Sequence, residues 1–356
     1  MVRSVVAMDT PMIRTSGLTK HYTAKKETVE AVRGLDITVE RGELVALLGP
    51  NGAGKSTTLR MLTTLIPPTS GTAEVAGHDV TRQQRAVRRC IGYVGQGNGA
   101  GHSQRGRDEL VSQGRSYGLS RRDARRRADE LVGSLDLDAV ADRTVSSLSG
   151  GQRRRLDIAM GLIHAPELLF LDEPSTGLDP QNRANLQEHI TALRDAHGTT
   201  VVLTTHYLDE ADALADRVVV IDHGRVIADD SPRRLKANLA GDRVVIGFAS
   251  ADDARAAAGR LVGPGVRSQV TGTTLDLRLA DGPALVPGML RDLDAADVRP
   301  RSVRVSEPTL DDVFLALTGR SLREGGSSDP AGTDPSEAAA SAPASPSDTT
   351  AQEVFA

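Results

Sequence analysis

Apolar positions along the chain follow two patterns, and each pattern predicts a different kind of element. Short runs that are apolar throughout, at 44–48, 168–171 and 218–221, are typical of strands buried on both faces of a sheet. The stretches 123–135 and 153–164 instead carry helical patterns. Because buried strands alternate with helices, we predict an α/β fold.

The last part of the chain has a different order of elements. Residues 240–320 suggest strand, helix, strand, strand, helix, strand and a final helix, which is typical of a small α+β domain of ferredoxin-like type. We therefore predict a first domain at 12–235 and a second domain at 240–320. Within the first domain, the section at about 96–165 is predicted to be mostly helical.

A tail at 324–356 differs from both domains in composition. It is rich in Ser, Ala, Pro and Gly and contains six acidic residues but no basic ones. Removing those six negative charges would change the formal net charge from −4 to +2. Such a segment cannot bury enough apolar surface to fold, so we predict that it is disordered.

Composition also disfavours several classes of protein. No apolar run approaches the roughly 20 residues of a membrane-spanning helix, and residues 1–11 lack the apolar core of a signal peptide. Cys90 is the only cysteine, so an intrachain disulfide is impossible and a reducing compartment is favoured. The net charge of −4 argues against a nucleic-acid partner.

The strongest chemical signal is a glycine-rich loop between the strand at 44–48 and a predicted helix at 57–65. It fits the pattern G-x-x-x-x-G-K-[ST], in which backbone N–H groups and a helix N-terminus face the phosphates of a nucleotide. Lys55 is predicted to reach the β- and γ-phosphates, and the Ser56 hydroxyl to hold Mg²⁺. The residues of this predicted site are Gly49, Pro50, Asn51, Gly52, Ala53, Gly54, Lys55, Ser56 and Thr57.

Two adjacent carboxylates, Asp172 and Glu173, end the buried strand at 168–171. The carboxyl ends of strands form the edge at which α/β sheets bind ligands. Asp172 is therefore predicted to hold Mg²⁺, usually through water, and Glu173 to polarise an attacking water. A solvated strand end is the common alternative, which the preceding phosphate loop disfavours.

Two further segments have both a functional and a structural interpretation. Ser149 is a plausible N-cap of the helix at 153–164, and the glycines after it leave backbone amides open to an anion. The anion could be the nucleotide of another subunit, although an ordinary capped helix fits the same residues. His206 ends a strand at 201–205, where a neutral imidazole could contact a γ-phosphate or its attacking water. A lone histidine more often has a structural role, but its place at a strand end favours the functional interpretation.

Taken together, these segments resemble the nucleotide-binding subunit of ATP-binding cassette (ABC) transporters over residues 12 to about 235. The loop matches the Walker A motif of that family, the strand at 168–171 with its two acids matches Walker B, and His206 matches the switch histidine. Gln96 lies where the Q-loop glutamine belongs, and Tyr22 where the adenine-stacking aromatic belongs. The family's signature corresponds to Leu148, Ser149, Gly150, Gly151 and Gln152, and its D-loop to Ser175, Thr176, Gly177, Leu178 and Asp179.

The resemblance implies a P-loop NTPase cassette, with a RecA-like core and with antiparallel β and helical subdomains. It implies a homodimer formed on ATP binding, in which the signature of one copy faces the phosphate loop of the other. Ser56, Gln96 and Asp172 would hold Mg²⁺, Glu173 would act as the base, and His206 and Gln96 would act as sensors. A separate membrane permease with several spans would place the chain on the cytoplasmic side of the cell membrane as a peripheral protein.

Residues 307–320 resemble the C-terminal segment of the daunorubicin-resistance type of drug-exporter ATPases. This favours export of a hydrophobic drug, antibiotic or secondary metabolite, with a lipid or polysaccharide as the near alternative. An amphipathic helix that closes the second domain is the structural interpretation of the same residues. The glycine-rich stretch 97–103 departs from the family pattern beside Gln96, so details of the partner are not carried over.

Two other function classes remain as alternatives. A non-transport cassette ATPase acting on ribosomes or DNA usually has two cassettes or a long coiled-coil insertion, and this chain has one cassette and no such insertion. A nucleotide-binding regulator without turnover would not need Glu173 and His206.

Overall fold

The structure is a computed structural model that describes residues 10–24, 27–97, 99–101, 103–261, 266–279 and 281–319. The tail predicted at 324–356 lies outside these residues, as do Asn98 and His102 of the glycine-rich stretch. Among the described residues, no helix combines the length and apolar character needed to cross a bilayer.

Strands and helices alternate through most of the described chain. The strands are β1 (Ile13–Ala24), β2 (Glu27–Leu35), β3 (Thr38–Val39), β4 (Leu44–Leu48), β5 (Ser70–Val75), β6 (His78–Asp79), β7 (Ile91–Val94), β8 (Leu168–Asp172), β9 (Thr200–Thr205), β10 (Arg217–Asp222), β11 (Arg225–Asp230), β12 (Asp242–Gly247), β13 (Arg267–Thr271), β14 (Thr274–Leu279) and β15 (Ser302–Ser306). The helices are α1 (Lys55–Leu62), α2 (Gln84–Cys90), α3 (Gly106–Ser116), α4 (Arg121–Ser134), α5 (Gly150–Leu162), α6 (Pro180–His197), α7 (Leu208–Leu214), α8 (Pro232–Leu235), α9 (Ala251–Leu261), α10 (Gly282–Asp294) and α11 (Leu310–Thr318).

A six-stranded sheet in the order β11-β10-β4-β9-β8-β7 forms the centre of the cassette. Its strands are parallel except for β11, which pairs antiparallel with β10. All residues of β4, β8 and β9 are buried, as expected for strands covered on both faces. In β4, Leu44 and Leu48 enter the core on the side of α5 and α6, while Val45 and Leu47 enter the core on the other side. The predicted α/β fold is confirmed.

An antiparallel sheet covers the second face of the central sheet. Its strand order is β2-β1-β5-β6, with β3 paired to β1. Apolar residues of this sheet, among them Leu18, Val32 and Val75, share a core with Leu59 of α1 and Phe170 of β8. This core fixes the sheet against the helix that follows the phosphate loop.

The section between β7 and β8 contains α3, α4 and α5. Helix α4 buries Ala124, Ala128 and Leu131 along one face, which is the spacing that a packed helix requires. The helices predicted at 57–65 and 153–164 are present, but both begin and end earlier, as α1 (Lys55–Leu62) and α5 (Gly150–Leu162). Helix α1 begins after Gly54, which is in left-handed conformation, and α5 begins after its cap Ser149. The spacing of apolar residues does not reveal either start.

The C-terminal elements have the order β12-α9-β13-β14-α10-β15, and their antiparallel sheet has the order β13-β14-β12-β15. This is the arrangement of the split βαβ fold. Val244 and Ile246 of β12 and Leu275 and Leu277 of β14 form its core with α9. These strands alternate buried and half-buried or exposed positions, because helices cover only one face of the sheet.

The apolar face of the final helix α11 packs on the cassette and not on the C-terminal sheet. Leu310, Val313 and Phe314 are buried in the same core as Leu208 and Leu235. The structural interpretation, that this helix closes the second domain, is therefore wrong for its apolar face.

Candidate nucleotide-hydrolysis site

The loop between β4 and α1 has the compact backbone that a phosphate cradle requires. At Gly49 an added Cβ would lie 2.1 Å from the carbonyl oxygen of Ile221. Gly54 has a φ of 101°, and a Cβ there would lie 2.4 Å from the carbonyl oxygen of Ala31. Glycine is therefore required at both positions, by close approach at the first and also by conformation at the second. Residues 51–52 are exposed at the tip of the loop, while Ala53, Gly54 and Lys55 are buried.

Lys55 lies inside the loop as a buried cation with 4% of its surface exposed. Its Nζ donates hydrogen bonds to the carbonyl oxygens of Gly49 at 2.8 Å and Pro50 at 3.0 Å, and lies 3.7 Å from Oε1 of Glu173. Burial lowers the pKa of Lys55, although the charges of Glu173 and Asp172 act in the opposite direction. The ammonium is therefore held between the loop and the carboxylates of β8.

Oxygen atoms from three elements converge beside Lys55. Oδ1 of Asp172 accepts hydrogen bonds from the Ser56 hydroxyl at 2.8 Å and from the Thr204 hydroxyl at 2.6 Å. Oδ2 of Asp172 is buried and has no hydrogen-bond partner among the described residues. A carboxylate oxygen without a partner beside a serine hydroxyl suits a hard cation such as Mg²⁺, which takes oxygen ligands. These residues fit the ion that the sequence predicts.

Glu173 has a non-glycine backbone in left-handed conformation, with a φ of 44°. Its N–H donates to the Thr204 hydroxyl at 2.9 Å, which holds the backbone at the end of β8. Oε2 accepts hydrogen bonds from Nε2 of Gln96 at 2.8 Å and from the Thr176 hydroxyl at 3.2 Å. Nδ1 of His206 lies 3.5 Å from the same oxygen, a distance that is long for a strong hydrogen bond.

The surroundings of Glu173 keep its carboxyl group ionised. Burial raises the pKa, but the contact with His206, the charge of Lys55 and the hydrogen bond from Gln96 outweigh burial and lower the pKa to about 2. The fold therefore brings together Lys55, Gln96, Glu173 and His206, which lie far apart in sequence. Sequence reasoning missed Thr204, whose signal was a polar residue at the carboxyl end of the buried strand β9.

The signature residues begin α5 and lie beside the start of α6. Ser149 caps the helix, because its hydroxyl accepts from the N–H of Gln152 while the Gln152 side chain accepts from the N–H of Ser149. An added Cβ at Gly151 would lie 2.5 Å from Oδ1 of Asn182. Asp179 caps α6 by accepting from the N–H of Asn182 at 2.9 Å. The signature and the D-loop residue thus meet on one surface, where Ser149 and Gly150 are exposed.

The remaining predicted contact, Tyr22, lies on β1 opposite Val29 of β2. The ammonium of Lys20 lies 5.3 Å from the centre of the Tyr22 ring. The ring is half-buried, so part of its surface remains available for stacking.

Comparison with known proteins agrees with this geometry. Residues 32–176 match the family model described as ABC transporter. The chain is 45% identical over 311 residues to the daunorubicin resistance ATP-binding protein DrrA3 of Streptomyces coeruleorubidus, covering 87% of this chain and 97% of that protein. It is 34% identical over 318 residues to the linearmycin resistance ATP-binding protein LnrL of Bacillus subtilis, covering 88% of this chain and all of that protein.

Among solved structures, the chain is similar to a dimeric post-hydrolysis state of the ATP-binding cassette MJ0796 bound to ADP and Pi. The TM-score is 0.57 at 26% sequence identity, covering 62% of this chain and 98% of that one.

Proposed function

The chain belongs to the family of ABC transporter ATP-binding proteins, which are ATPases, and from that premise we propose that it powers an exporter. The cargo would be a hydrophobic drug, antibiotic or secondary metabolite, and it would cross the membrane through a separate permease with several spans. The match to the Streptomyces coeruleorubidus resistance protein, which covers 97% of that protein, carries this proposal. Its 311 aligned residues extend beyond the cassette predicted at 12–235. The relatives give no support to the alternative function on ribosomes or nucleic acid.

Nucleotide binding would use the loop that holds Lys55. The loop N–H groups and the start of α1 provide partial positive charge for the β- and γ-phosphates, and the Lys55 ammonium supplies a full charge. Tyr22 would stack on the adenine. Mg²⁺ held by Ser56, Gln96 and Asp172, the last through water, would neutralise charge on the phosphate oxygens.

Glu173 would act as the general base only when substrate is present. A carboxylate with a pKa of about 2 is a weak base, and Lys55 contributes to that low value. A γ-phosphate would draw the ammonium towards itself and add negative charge beside the carboxylate, and both effects raise the pKa of Glu173. Gln96 and His206 would keep its oxygens aimed at the attacking water and would sense the phosphate. Water activation would then depend on bound ATP.

The second half of each site would come from another copy of the chain. Ser149 and Gly150 are exposed at the start of a helix, where backbone N–H groups and a hydroxyl can bind an anion. We therefore propose an ATP-dependent homodimer with two composite sites, in which Asp179 lies near the contact between copies. The dimer would act on the permease from the cytoplasmic side of the membrane, through the helical section near Gln96.

Export is tested by producing the chain together with a candidate permease that has several membrane spans. Inverted membrane vesicles should accumulate a hydrophobic drug in the presence of Mg·ATP, with doxorubicin as the first probe. Vesicles that carry Glu173→Gln are the control and should not accumulate it. ATP-dependent movement of a lipid or polysaccharide in place of the drug would change the substrate class, and a lack of any ATP-dependent transport would overturn the proposal.

A further inference from the structure

Arg154 of α5 makes a set of hydrogen bonds that the mechanism above does not use. The side chain is buried, with 8% of its surface exposed. Nη1 donates to the carbonyl oxygen of Gly95 at 2.6 Å, Nε to that of Pro174 at 2.8 Å, and Nη2 to that of Asp172 at 3.0 Å. One guanidinium therefore binds the residue before Gln96 and the residues on both sides of Glu173.

Asp157, one turn further along α5, holds the other side of the Q-loop. Its Oδ1 accepts hydrogen bonds from the N–H groups of Gly99 and Ala100, each at 3.0 Å. Asp157 is buried as well, with 4% of its surface exposed, and its charge interacts favourably with Arg154. The two side chains thus hold the backbone at the residue before Gln96 and at the third and fourth residues after it.

The geometry suits a guanidinium better than any other side chain. Its planar fork presents several N–H donors in fixed directions, whereas lysine presents one compact ammonium group. Burial of a cation is costly unless its donors are satisfied, and here all three nitrogens donate to carbonyl oxygens. Those carbonyls are at the carboxyl ends of β7 and β8, the strands that position Gln96 and Glu173.

We propose that Arg154, supported by Asp157, is a positioning residue that holds Gln96 and Glu173 in register and couples them to the signature at the start of the same helix. Ser149 caps α5, and Arg154 lies in the second turn of that helix. A shift of the signature when two copies close would therefore move both catalytic groups together. This inference rests on the proposed roles of Gln96 and Glu173.

The test compares Arg154→Gln with Arg155→Gln in the full-length chain. Arg155 is the next residue of the same helix, but its guanidinium contacts Asn185 and His189 of α6. We expect Arg154→Gln to lower kcat for Mg·ATP hydrolysis roughly 10- to 100-fold, because small displacements of catalytic groups are costly. KM and the equilibrium affinity for ATP should stay within about 3-fold, since Arg154 does not face the loop. Arg155→Gln should leave both nearly unchanged.

Arg154→Lys keeps the buried charge, so it tests the positioning role even if Arg154→Gln does not fold. It should give a kcat between those of the wild type and Arg154→Gln, because one ammonium cannot reach three separated carbonyls. Full turnover in the lysine variant would assign the effect to charge alone and overturn the proposal. Equal losses of kcat from Arg154→Gln and Arg155→Gln would do the same.

A double-mutant cycle tests whether Arg154 acts through Gln96. If it does, Arg154→Gln should lower kcat much less in a Gln96→Ala background than in the wild type, because residues that act as a unit are not additive. Independent, multiplicative losses would contradict the positioning role. Glu173→Gln is measured in parallel, since full turnover in that variant would contradict the proposed base and leave the Arg154 result to be interpreted separately.

Discussion

The backbone of Glu173 lies in a region of φ and ψ that non-glycine residues seldom adopt. Such a conformation costs about 1–3 kcal/mol and persists only where surrounding contacts over-determine it. Here the Thr204 hydroxyl holds the N–H, and Gln96 and Thr176 hold the carboxylate. The strained residue is the one proposed to activate water. A fixed direction of its side chain matters there, because the carboxylate has to face the attacking water.

Lys55→Ala tests the cation of the loop. We expect the affinity for Mg·ATP to fall roughly 10- to 100-fold, because a hydrogen bond to a charged group contributes about 1.5–3 kcal/mol. Hydrolysis should be lost. Titration calorimetry on the folded variant measures the affinity, and circular dichroism confirms that the fold is intact. Lys236→Ala is the matched control, because it removes a lysine that pairs with Asp212 away from the site. Unchanged affinity in Lys55→Ala would contradict the assignment.

Glu210→Gln tests a buried carboxyl group on α7. Burial raises the pKa of Glu210, and the hydroxyls of Thr205 and Ser175 and the charge of Arg183 only partly offset it. The folded chain therefore holds this proton more tightly than the unfolded chain does. The resulting stability is present below the ordinary pKa of glutamate and is lost as the pH rises through the raised value. Glutamine does not titrate, so this variant should gain stability relative to the wild type as pH increases.

Urea unfolding of the Glu210 pair, in steps between about pH 4 and pH 8, gives the difference in free energy of unfolding at each pH. The difference should grow in favour of Glu210→Gln across the series. A constant difference would mean that the Glu210 carboxyl group has the same pKa in the folded and unfolded chains.

Sequence alone predicted which titratable residues would meet, and the reason is topological. Strands that run parallel bring their carboxyl ends to one edge, so the residues that end β8 and β9 were expected to approach the loop after β4. Gln96, after β7, was placed there by the family resemblance. The conformation of Glu173 and the contacts of Arg154 were not predictable in this way. Both depend on which carbonyl or hydroxyl faces a side chain, and apolar spacing carries no information on that.

At the scale of elements, caps and tertiary contacts explain where prediction and structure differ. The start of α5 is set by the reciprocal hydrogen bonds of Ser149 and Gln152, three residues before the helical spacing becomes visible. Helix α11 has apolar residues on more than one side, so its sequence did not show which face would be buried. The structure buries Leu310, Val313 and Phe314 against the cassette and leaves Leu315 44% exposed.

Phe314→Ala and Leu315→Ala form a matched pair on α11. Phe314 is 1% exposed in the cassette core, so its truncation should cost about 3–5 kcal/mol of unfolding free energy. Leu315→Ala should cost less than about 1 kcal/mol, because truncating a partly exposed side chain leaves little or no cavity and removes less buried apolar surface. Urea denaturation measures both. Similar costs at the two positions would mean that α11 does not pack by the face that carries Leu310, Val313 and Phe314.

At the scale of the whole molecule, helix α11 contacts both the C-terminal sheet and the cassette. Nη2 of Arg278 on β14 donates to Oδ1 of Asp312 on α11 at 2.5 Å, while the apolar side of α11 enters the cassette core. The helix therefore contacts both the C-terminal sheet and the core that contains Leu208 and Leu235.

The proposed composite site concerns the whole molecule, because it requires nucleotide binding and dimerisation to be linked. A ligand that contacts both copies stabilises the dimer by its differential affinity for that state. Glu173→Gln keeps the shape of the side chain and removes the base, so ATP should persist and hold two copies together. Sedimentation should therefore show a dimer with Mg·ATP and a monomer with ADP, with the permease reconstituted where closure needs it.

Adding Ser149→Arg to Glu173→Gln tests whether the signature faces the nucleotide of the other copy. Ser149 is exposed and lies at the start of α5, so a long cationic side chain there should obstruct a facing copy without disturbing the buried loop of its own chain. The double variant should keep its monomeric affinity for ATP within about 3-fold and fail to dimerise, because the steric and charge conflict arises only on closure. If the double variant still closed on Mg·ATP, the signature would not contribute to the site in trans. Hydrolysis would then have to be completed within one copy, and the proposed link between dimerisation and export would lose its structural basis.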